Sequence, residues 1–283
     1  MQGTAAILRE PNQPFSIEAV KIDPPRAGEI LVRIRAVGIC HTDLVFASGA
    51  MGSPFPLILG HEGAGVVEAV GEGVTKVQSG QKVLLTFNSC GRCSQCDRGD
   101  PAYCQEFVAL NFACVRADGS SCAHDDRGQV SARFFGQSSF ASHAIAAERN
   151  VVALPDEADL ASLAPLGCGI QTGVGAVLRS LKAQTGSSLV VLGGGAVGLS
   201  AVLGGKIAGC SNIIMIEPFE TRRQLALELG ADHAIDPAAG DTAEQVRAIL
   251  PQGANNVVDT SGNVGAISAA LGMLAPHGAL GLV

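Results

Sequence analysis

The sequence predicts an α/β protein of two domains, the second built on a doubly wound parallel sheet. Three observations carry that reading. The chain has 283 residues, more than one hydrophobic core usually serves. Up to about residue 155 it runs as short apolar segments broken by glycine turns. Beyond residue 188, apolar segments alternate with alanine- and leucine-rich helical ones. The first pattern is that of a β domain; the second is that of strands joined by helical crossovers, which run parallel.

In the first half, residues 30–37, 63–70 and 82–85 are rich in Val, Ile and Leu and lie beside tight turns, as strands do. A hinge is expected between residues 155 and 186, with helical stretches at 158–166 and 173–181. Buried strands follow at 189–192, 213–216, 233–235 and 256–259, with a helix over 221–230, and residues 279–283 read as a fifth strand. Residues 183–205 are uncharged for long enough to span a bilayer. Their glycines, three of them consecutive, fit a strand, a turn and a helix start better than a membrane helix.

Composition narrows the function. Hydrophobic residues make up 47% and charged ones 16%, which excludes a disordered chain. A net charge of −7 without any basic run argues against nucleic-acid binding, which needs a basic face. The amino terminus lacks a basic start followed by an apolar core, so no secretory signal is visible and a cytoplasmic location is expected. In that compartment nine cysteines are not expected to form a disulfide framework, and metal ligation becomes the first hypothesis.

Cys90, Cys93, Cys96 and Cys104 place four thiols on one short loop, with Gly91 and Gly99 to let the backbone wrap an ion. Zinc takes four such thiolates in a closed tetrahedron whose role is structural. Disulfides and an iron-sulfur cluster are the other uses of the same ligands. A second group is scattered: Cys40, His61 and Cys168 could form a Cys2His set, which leaves the fourth position of a zinc ion open for chemistry. Taken singly, each is ordinarily a small core side chain or a satisfied polar group.

Residues 189–199 read as a strand, a G-x-G-x-x-G turn and a helix start. Gly193 makes the turn, Gly195 lets a pyrophosphate approach the backbone, and Gly198 lets helix pack on strand. Glu217 stands 24 residues after Gly193, at the end of the next strand. An acid there bonds both ribose hydroxyls and repels a 2′-phosphate, favouring NAD over NADP.

In order along the chain, Cys40-His41-Thr42-Asp43, Gly60-His61-Glu62-Gly63-Ala64-Gly65, the four-cysteine lobe and Gly167-Cys168-Gly169 resemble the motifs of the zinc-containing medium-chain alcohol dehydrogenases. Residues 134–140 and 166–173 look most like the aryl (benzyl) alcohol branch. The resemblance covers the whole chain and implies a GroES-like catalytic domain over 1–160 and a Rossmann domain over 161–283. It implies two zinc ions, NAD, and hydride transfer from a zinc-bound alkoxide of a primary, aromatic alcohol, giving the aldehyde. Cys40, His61 and Cys168 would hold the catalytic zinc, with Asp43 orienting the imidazole and Glu62 behind the metal. Thr42 would take the alcohol proton. Thr172 would touch the nicotinamide side and Arg222 the adenosine side, although an exposed helix charge is an equally good reading of Arg222. A homo-oligomer is what the resemblance implies for a full-length relative.

Three departures qualify the resemblance. His41 stands where many relatives carry an arginine for pyrophosphate, so its hold should be weaker and pH-dependent. Val45 replaces a histidine of the proton relay. Family members also continue beyond the fifth strand to a sixth and then complete the first domain, so the Rossmann sheet is expected to lack its sixth strand. Alternatives are formaldehyde or aliphatic alcohol oxidation on the same scaffold, or a catalytically silent, truncated zinc-binding product. Cys114, Cys122 and Cys210 match no motif. Cys114 and Cys122 lie in a polar insertion over 111–133 with His124-Asp125-Asp126, where a third metal site is conceivable. Phe87, Phe107, Phe112, Phe134, Phe135 and Phe140 could line an aromatic pocket or could be core.

Overall fold

The structure, a computed structural model, describes all 283 residues. It divides into two compact units, Met1–Cys168 and Gly169–Val283.

The first unit holds ten strands: β1 (Gln2–Leu8), β2 (Ser16–Ile22), β3 (Glu29–Gly38), β4 (Leu57–Ile58), β5 (Glu62–Val70), β6 (Lys82–Leu85), β7 (Ala123–Asp125), β8 (Gly128–Val130), β9 (His143–Ala147) and β10 (Val151–Ala153). They form two five-stranded sheets, ordered β4-β1-β2-β7-β8 and β10-β6-β5-β3-β9. Alternating residues of β3 feed different cores, because successive side chains of a strand point to opposite faces. Leu31 packs with Ile7, Val20, Ile58 and Ile145. Ile30 and Val32 pack with Val67, Val83 and Leu85. Each side chain of this kind, fully buried, contributes about 1.5–3 kcal/mol.

The stretch expected to be a polar insertion is more ordered than its composition suggests. Residues 123–130 form the β7–β8 hairpin, which extends the first sheet through β2. Arg116 reaches from the same stretch to Glu29 at the start of β3 with two hydrogen bonds of 3.0 and 2.9 Å. Arg133 adds a third contact to the same carboxylate at 2.9 Å.

The second unit is a five-stranded parallel sheet of β11 (Ser188–Leu192), β12 (Asn212–Ile216), β13 (His233–Ile235), β14 (Ala254–Asp259) and β15 (Leu274–Leu282), ordered β13-β12-β11-β14-β15. Helices cover both faces. Leu189, Val191, Ile213 and Met215 pack on one side against Ala201 and Val202 of helix Ala196–Ala208 and Ala226 of helix Glu220–Glu228. Val190, Leu192, Ile214 and Ile216 pack on the other against Val246, Ala270 and Met273. A sheet buried on both sides explains why its strands are continuously apolar rather than alternating. Residues 183–205 carry β11, the turn and most of the first helix, and no single helix is long and apolar enough to cross a membrane.

Strand β15 starts earlier than the sequence suggests. Its first residues carry a register shift against β14, and His277 sits at φ +62°. Only beyond Gly278 does regular pairing set in, from Asn256↔Ala279 to Asp259↔Leu282. The helical expectation around 158–181 resolves into short pieces, helix Leu160–Leu163, a 3-10 turn Ala164–Gly167, helix Gly169–Gly175 and a π turn Ala176–Ser180.

Candidate active site

Asp43 organises the first candidate metal centre. It lies in the first turn of helix His41–Ala47, which Cys40 caps. Its carboxylate is 1% exposed, and an acid so buried must find donors. Oδ2 accepts the Cys40 N–H at 3.0 Å, Oδ1 accepts the Gly60 N–H at 2.9 Å, and the same Oδ1 lies 3.1 Å from His61 Nδ1. One carboxylate therefore fixes two of the three expected ligands.

Gly60 makes this approach possible. Its φ is +86°, and a Cβ there would come within 2.5 Å of the Phe140 nitrogen. With Nδ1–H directed at Asp43, the lone pair of a neutral imidazole falls on Nε2. That nitrogen is buried and has no hydrogen-bond partner, a state that costs about 1–3 kcal/mol unless something fills it. Cys168 follows the turn Ala164–Gly167, which is pressed onto β6: a Cβ at Gly167 would sit 2.2 Å from the Leu85 carbonyl oxygen. The Thr86 hydroxyl donates to the Gly167 carbonyl at 2.9 Å.

The result is convergence. Ligand atoms of Cys40, His61 and Cys168 all lie within 4.8 Å of one another, and both cysteines are free thiols. A tetrahedral zinc with bonds of about 2.0–2.3 Å spaces its ligands by roughly 3.3–3.8 Å, which fits inside that limit. Without the ion the three groups polarise one another. Hydrogen bonding from Cys168, helped by His61 and opposed by burial, holds the Cys40 thiol low. The same contact, with burial, pushes Cys168 up. Burial opposes a charge on His61, but Asp43 and Cys40 outweigh it and raise the imidazole to about 9.

Around this centre, Glu62 is buried at the start of β5, and a Cβ at Gly38 would meet its Oε2 at 1.9 Å. A side chain at the last residue of β3 would therefore displace the Glu62 carboxylate from this position. The half-buried Thr42 hydroxyl lies 3.6 Å from the Cys40 sulfur. His41, the first helical residue, is exposed.

Cys90, Cys93, Cys96 and Cys104 form the second centre, again with all sulfurs within 4.8 Å of one another and no disulfide. Cys90 and Cys96 sulfurs are 3.9 Å apart, close to the roughly 3.8 Å edge of a zinc tetrahedron with bonds of about 2.3 Å. Gly91 and Gly99 take positive φ of 71° and 79°, so the loop turns where side chains would be strained. The Cys90 N–H donates to the Cys104 sulfur at 3.2 Å. Hydrogen bonds from the Cys96 and Gln105 backbones lower Cys93 to about 6, whereas burial raises Cys104 to about 11.

In the second unit the glycine turn opens onto a cavity of about 660 Å³, bordered by Gly193, Gly194, Gly195, Glu217, Arg222 and Ser261. The three motif glycines differ in what they do. Gly193 sits at φ +94°, and a Cβ on Gly198 would be 1.8 Å from the Gly193 carbonyl oxygen. At Gly195 an added Cβ meets nothing within 4 Å. Two glycines thus serve folding, and the third keeps space free. Glu217 is 2% exposed, with Oε2 accepting the Gly194 N–H at 2.6 Å and Oε1 the Phe219 N–H at 3.0 Å. Arg222 lies 3.9 Å from that carboxylate, with its guanidinium 5.1 Å from the centre of the Phe219 ring. Thr172 precedes Gly173, where a Cβ would fall 2.1 Å from the Val197 carbonyl oxygen, so Thr172 lies beside the first turns of helix Ala196–Ala208.

In their ring contacts five of the six candidate phenylalanines join one connected cluster, with Phe134 packed on Phe135, and only Phe140 stands apart. Phe134 is completely buried beside Phe46, and Phe140 pairs with Phe15. Phe87, Phe107, Phe112 and Phe135 are the half-buried part of the cluster. Sequence reasoning gave no role to Gln137, yet it holds the chain on both sides of Glu62. Its Nε2 donates to the His61 carbonyl at 2.9 Å and its Oε1 accepts the Gly63 N–H at 3.1 Å. The run of small and polar residues after two phenylalanines was its only signal. Cys114 and Cys122 belong to separate cores, where burial raises them to about 12 and about 11, and neither joins a metal-binding group.

Comparison with known proteins agrees with this geometry. Residues 26–156 match the alcohol dehydrogenase GroES-like domain and residues 196–283 the zinc-binding dehydrogenase family. Geraniol dehydrogenase from Castellaniella defragrans is 47% identical, over 99% of this chain and 75% of its own length. A solved alcohol dehydrogenase zinc-binding domain protein from Burkholderia ambifaria superposes with a TM-score of 0.96 at 46% identity, over 100% of this chain and 76% of that one. Benzyl alcohol dehydrogenase from Acinetobacter calcoaceticus does so with a TM-score of 0.95 at 38% identity, over 100% and 77%. With relatives this similar over almost all its length, the chain belongs to the zinc-dependent medium-chain alcohol dehydrogenases.

Proposed function

We propose that the chain binds two zinc ions and oxidises a primary alcohol with an aromatic or allylic carbon next to the carbinol, passing hydride to NAD and yielding the aldehyde, NADH and a proton. The observation that carries this reading is the convergence of Cys40, His61 and Cys168, with a buried imidazole nitrogen left unpartnered. A zinc ion bound there supplies Lewis-acid charge that makes the alcohol hydroxyl more acidic. Three protein ligands leave it a fourth position for substrate. Cys90, Cys93, Cys96 and Cys104 fill all four positions of the other ion, whose role is to fasten their loop.

The residues divide the remaining work. Asp43 holds His61 in the tautomer that presents Nε2. The Thr42 hydroxyl accepts the alcohol proton while passing its own on toward the cofactor ribose, and Glu62 stands behind the ligands. On the cofactor side, Gly193, Gly195 and Gly198 shape the pyrophosphate turn. The buried Glu217 carboxylate supports NAD over NADP, because a 2′-phosphate would meet a negative charge. Thr172, Arg222 and His41 contact the nicotinamide, adenosine and pyrophosphate parts respectively. The likeness to a geraniol dehydrogenase and a benzyl alcohol dehydrogenase supports an unsaturated alcohol as substrate.

The test is a substrate and cofactor panel on the zinc-loaded protein: benzyl alcohol, geraniol, ethanol and S-hydroxymethylglutathione, each with NAD and NADP. The expected result is the highest kcat/KM with benzyl alcohol or geraniol and NAD, abolished by Cys40→Ser. Preference for ethanol or the glutathione adduct would overturn the substrate class, and preference for NADP would overturn the cofactor assignment.

A further inference from the structure

The segment after β8 encloses His61. Gln137 is fully buried. Besides the His61 carbonyl and the Gly63 N–H, its Oε1 accepts the Ser139 hydroxyl at 2.6 Å, so both ends of the amide are committed. The Ser139 N–H donates to the Gly60 carbonyl at 2.7 Å and the Phe140 N–H to the Leu59 carbonyl at 2.9 Å. Residues 59 to 63 are therefore tied to this segment on both sides of the imidazole. The ring itself is flanked by two phenylalanines. Phe134 meets it edge-on at 5.3 Å and 86°, and Phe135 stacks on its face at 4.4 Å and 19°.

Phe135 takes that position at a cost. Its φ is +49°, in the left-handed region that ordinary L-residues avoid. Its carbonyl accepts the Asn150 side-chain N–H at 3.2 Å, which holds the turn. A non-glycine residue is kept in a conformation that Gly would relieve, with its ring packed against Phe107, Phe112 and Phe134 and laid flat on a candidate metal ligand.

We propose that Phe135 is a positioning residue for the metal centre: its ring fixes the plane of the His61 imidazole, while Gln137 fixes the main chain that carries it, so that Nε2 stays aimed at the point shared with Cys40 and Cys168. The inference rests on the zinc reading above. Asp43 controls the ring from one edge, and Phe135 controls rotation about the axis that Asp43 leaves free.

Phe135→Gly is the informative variant, because glycine accepts the backbone conformation and the four-cysteine centre reports whether the fold is kept. Stripped of metal, wild type, Phe135→Gly and Phe135→Tyr are titrated with cobalt(II) against a competing chelator, and the visible absorption of each site is followed. Phe135→Gly is expected to weaken cobalt binding at the Cys40/His61/Cys168 centre by about tenfold, the lower range for loss of a ligand's supporting partner, and to alter its absorption bands. The four-cysteine centre should be unchanged, and Phe135→Tyr, which keeps a flat ring, should restore wild-type behaviour. Unchanged affinity and spectrum in Phe135→Gly, with two cobalt ions bound by wild type, would overturn the positioning role alone. Uptake by wild type only at the four cysteines would overturn the zinc reading and this role together.

Discussion

Asp43 and Glu217 are both buried carboxylates, yet each is held by main-chain donors for a different end. Asp43 uses its second acceptor on His61 Nδ1, so its loss should loosen a metal ligand. Asp43→Asn is expected to lower zinc affinity at the Cys40/His61/Cys168 centre by about 10–100-fold while the four-cysteine centre keeps its ion, as chelator competition would show. Equal loss at both centres would point to general unfolding. Glu217 accepts from Gly194 and Phe219, which leaves its charge at the wall of the cofactor cavity. Glu217→Gln is expected to reduce the NAD-over-NADP ratio of kcat/KM by about tenfold, equivalent to ~1.4 kcal/mol. Steady-state kinetics with both cofactors measure it, and an unchanged ratio would remove Glu217 from discrimination. These residues were legible in the sequence because they lie within short motifs. Gln137 and Phe135 also lie in a motif, 134–140, but their contacts with His61 and Gly63 were not legible, since those partners sit more than seventy positions away.

At the level of elements, the strand, turn and helix that begin the parallel sheet, from β11 to helix Ala196–Ala208, separate folding from binding. Gly198→Ala would place a Cβ 1.8 Å from the Gly193 carbonyl oxygen, whereas Gly195→Ala would place one in open space. The first substitution should lower the melting temperature and NAD affinity together. The second should leave melting unchanged and weaken NAD binding alone, which thermal unfolding and NADH fluorescence titration would separate. A Gly195→Ala protein with normal NADH affinity would contradict a pyrophosphate at this turn. The parallel strands were readable because burial on both faces makes them continuously apolar. The beginning of β15 was not, because its path depends on the His277 turn at φ +62° and on a register shift against β14. The β7–β8 hairpin was hidden by its polar composition; its pairing to β2 compensates for its few apolar residues.

Across the whole molecule, the order of the motifs revealed two zinc-type centres and a nucleotide fold, while long-range charge partners stayed invisible. Glu29 illustrates them. Burial pushes its carboxyl up, but hydrogen bonds from Arg116 and the Arg26 backbone, with the charges of Arg133 and Arg116, hold it below its ordinary 4.5. A carboxyl lowered on folding stabilises the protein above its unfolded value, and that stabilisation is lost as pH falls through the folded one. Stability of the first unit should therefore fall with acidification below about 4.5, in part through Glu29. Glu29→Gln, which leaves Arg133 without its carboxylate while Arg116 keeps Asp23 at 3.1 Å, should cost about 3 kcal/mol at pH 7 and flatten that acid limb. Urea unfolding at pH 7 and pH 4 with zinc bound would check both, and an unaltered acid limb would remove Glu29 from it.

Side chains from three separate stretches of sequence, Cys40, His61 and Cys168, are proposed to share one metal ion. Zinc-edge anomalous diffraction from crystals of the zinc-loaded protein tests this most directly. Two peaks are predicted, one among the four lobe cysteines and one about 2.0–2.3 Å from Cys40 Sγ, Cys168 Sγ and His61 Nε2. A single peak at the lobe, with the other three ligands free of metal, would contradict the account.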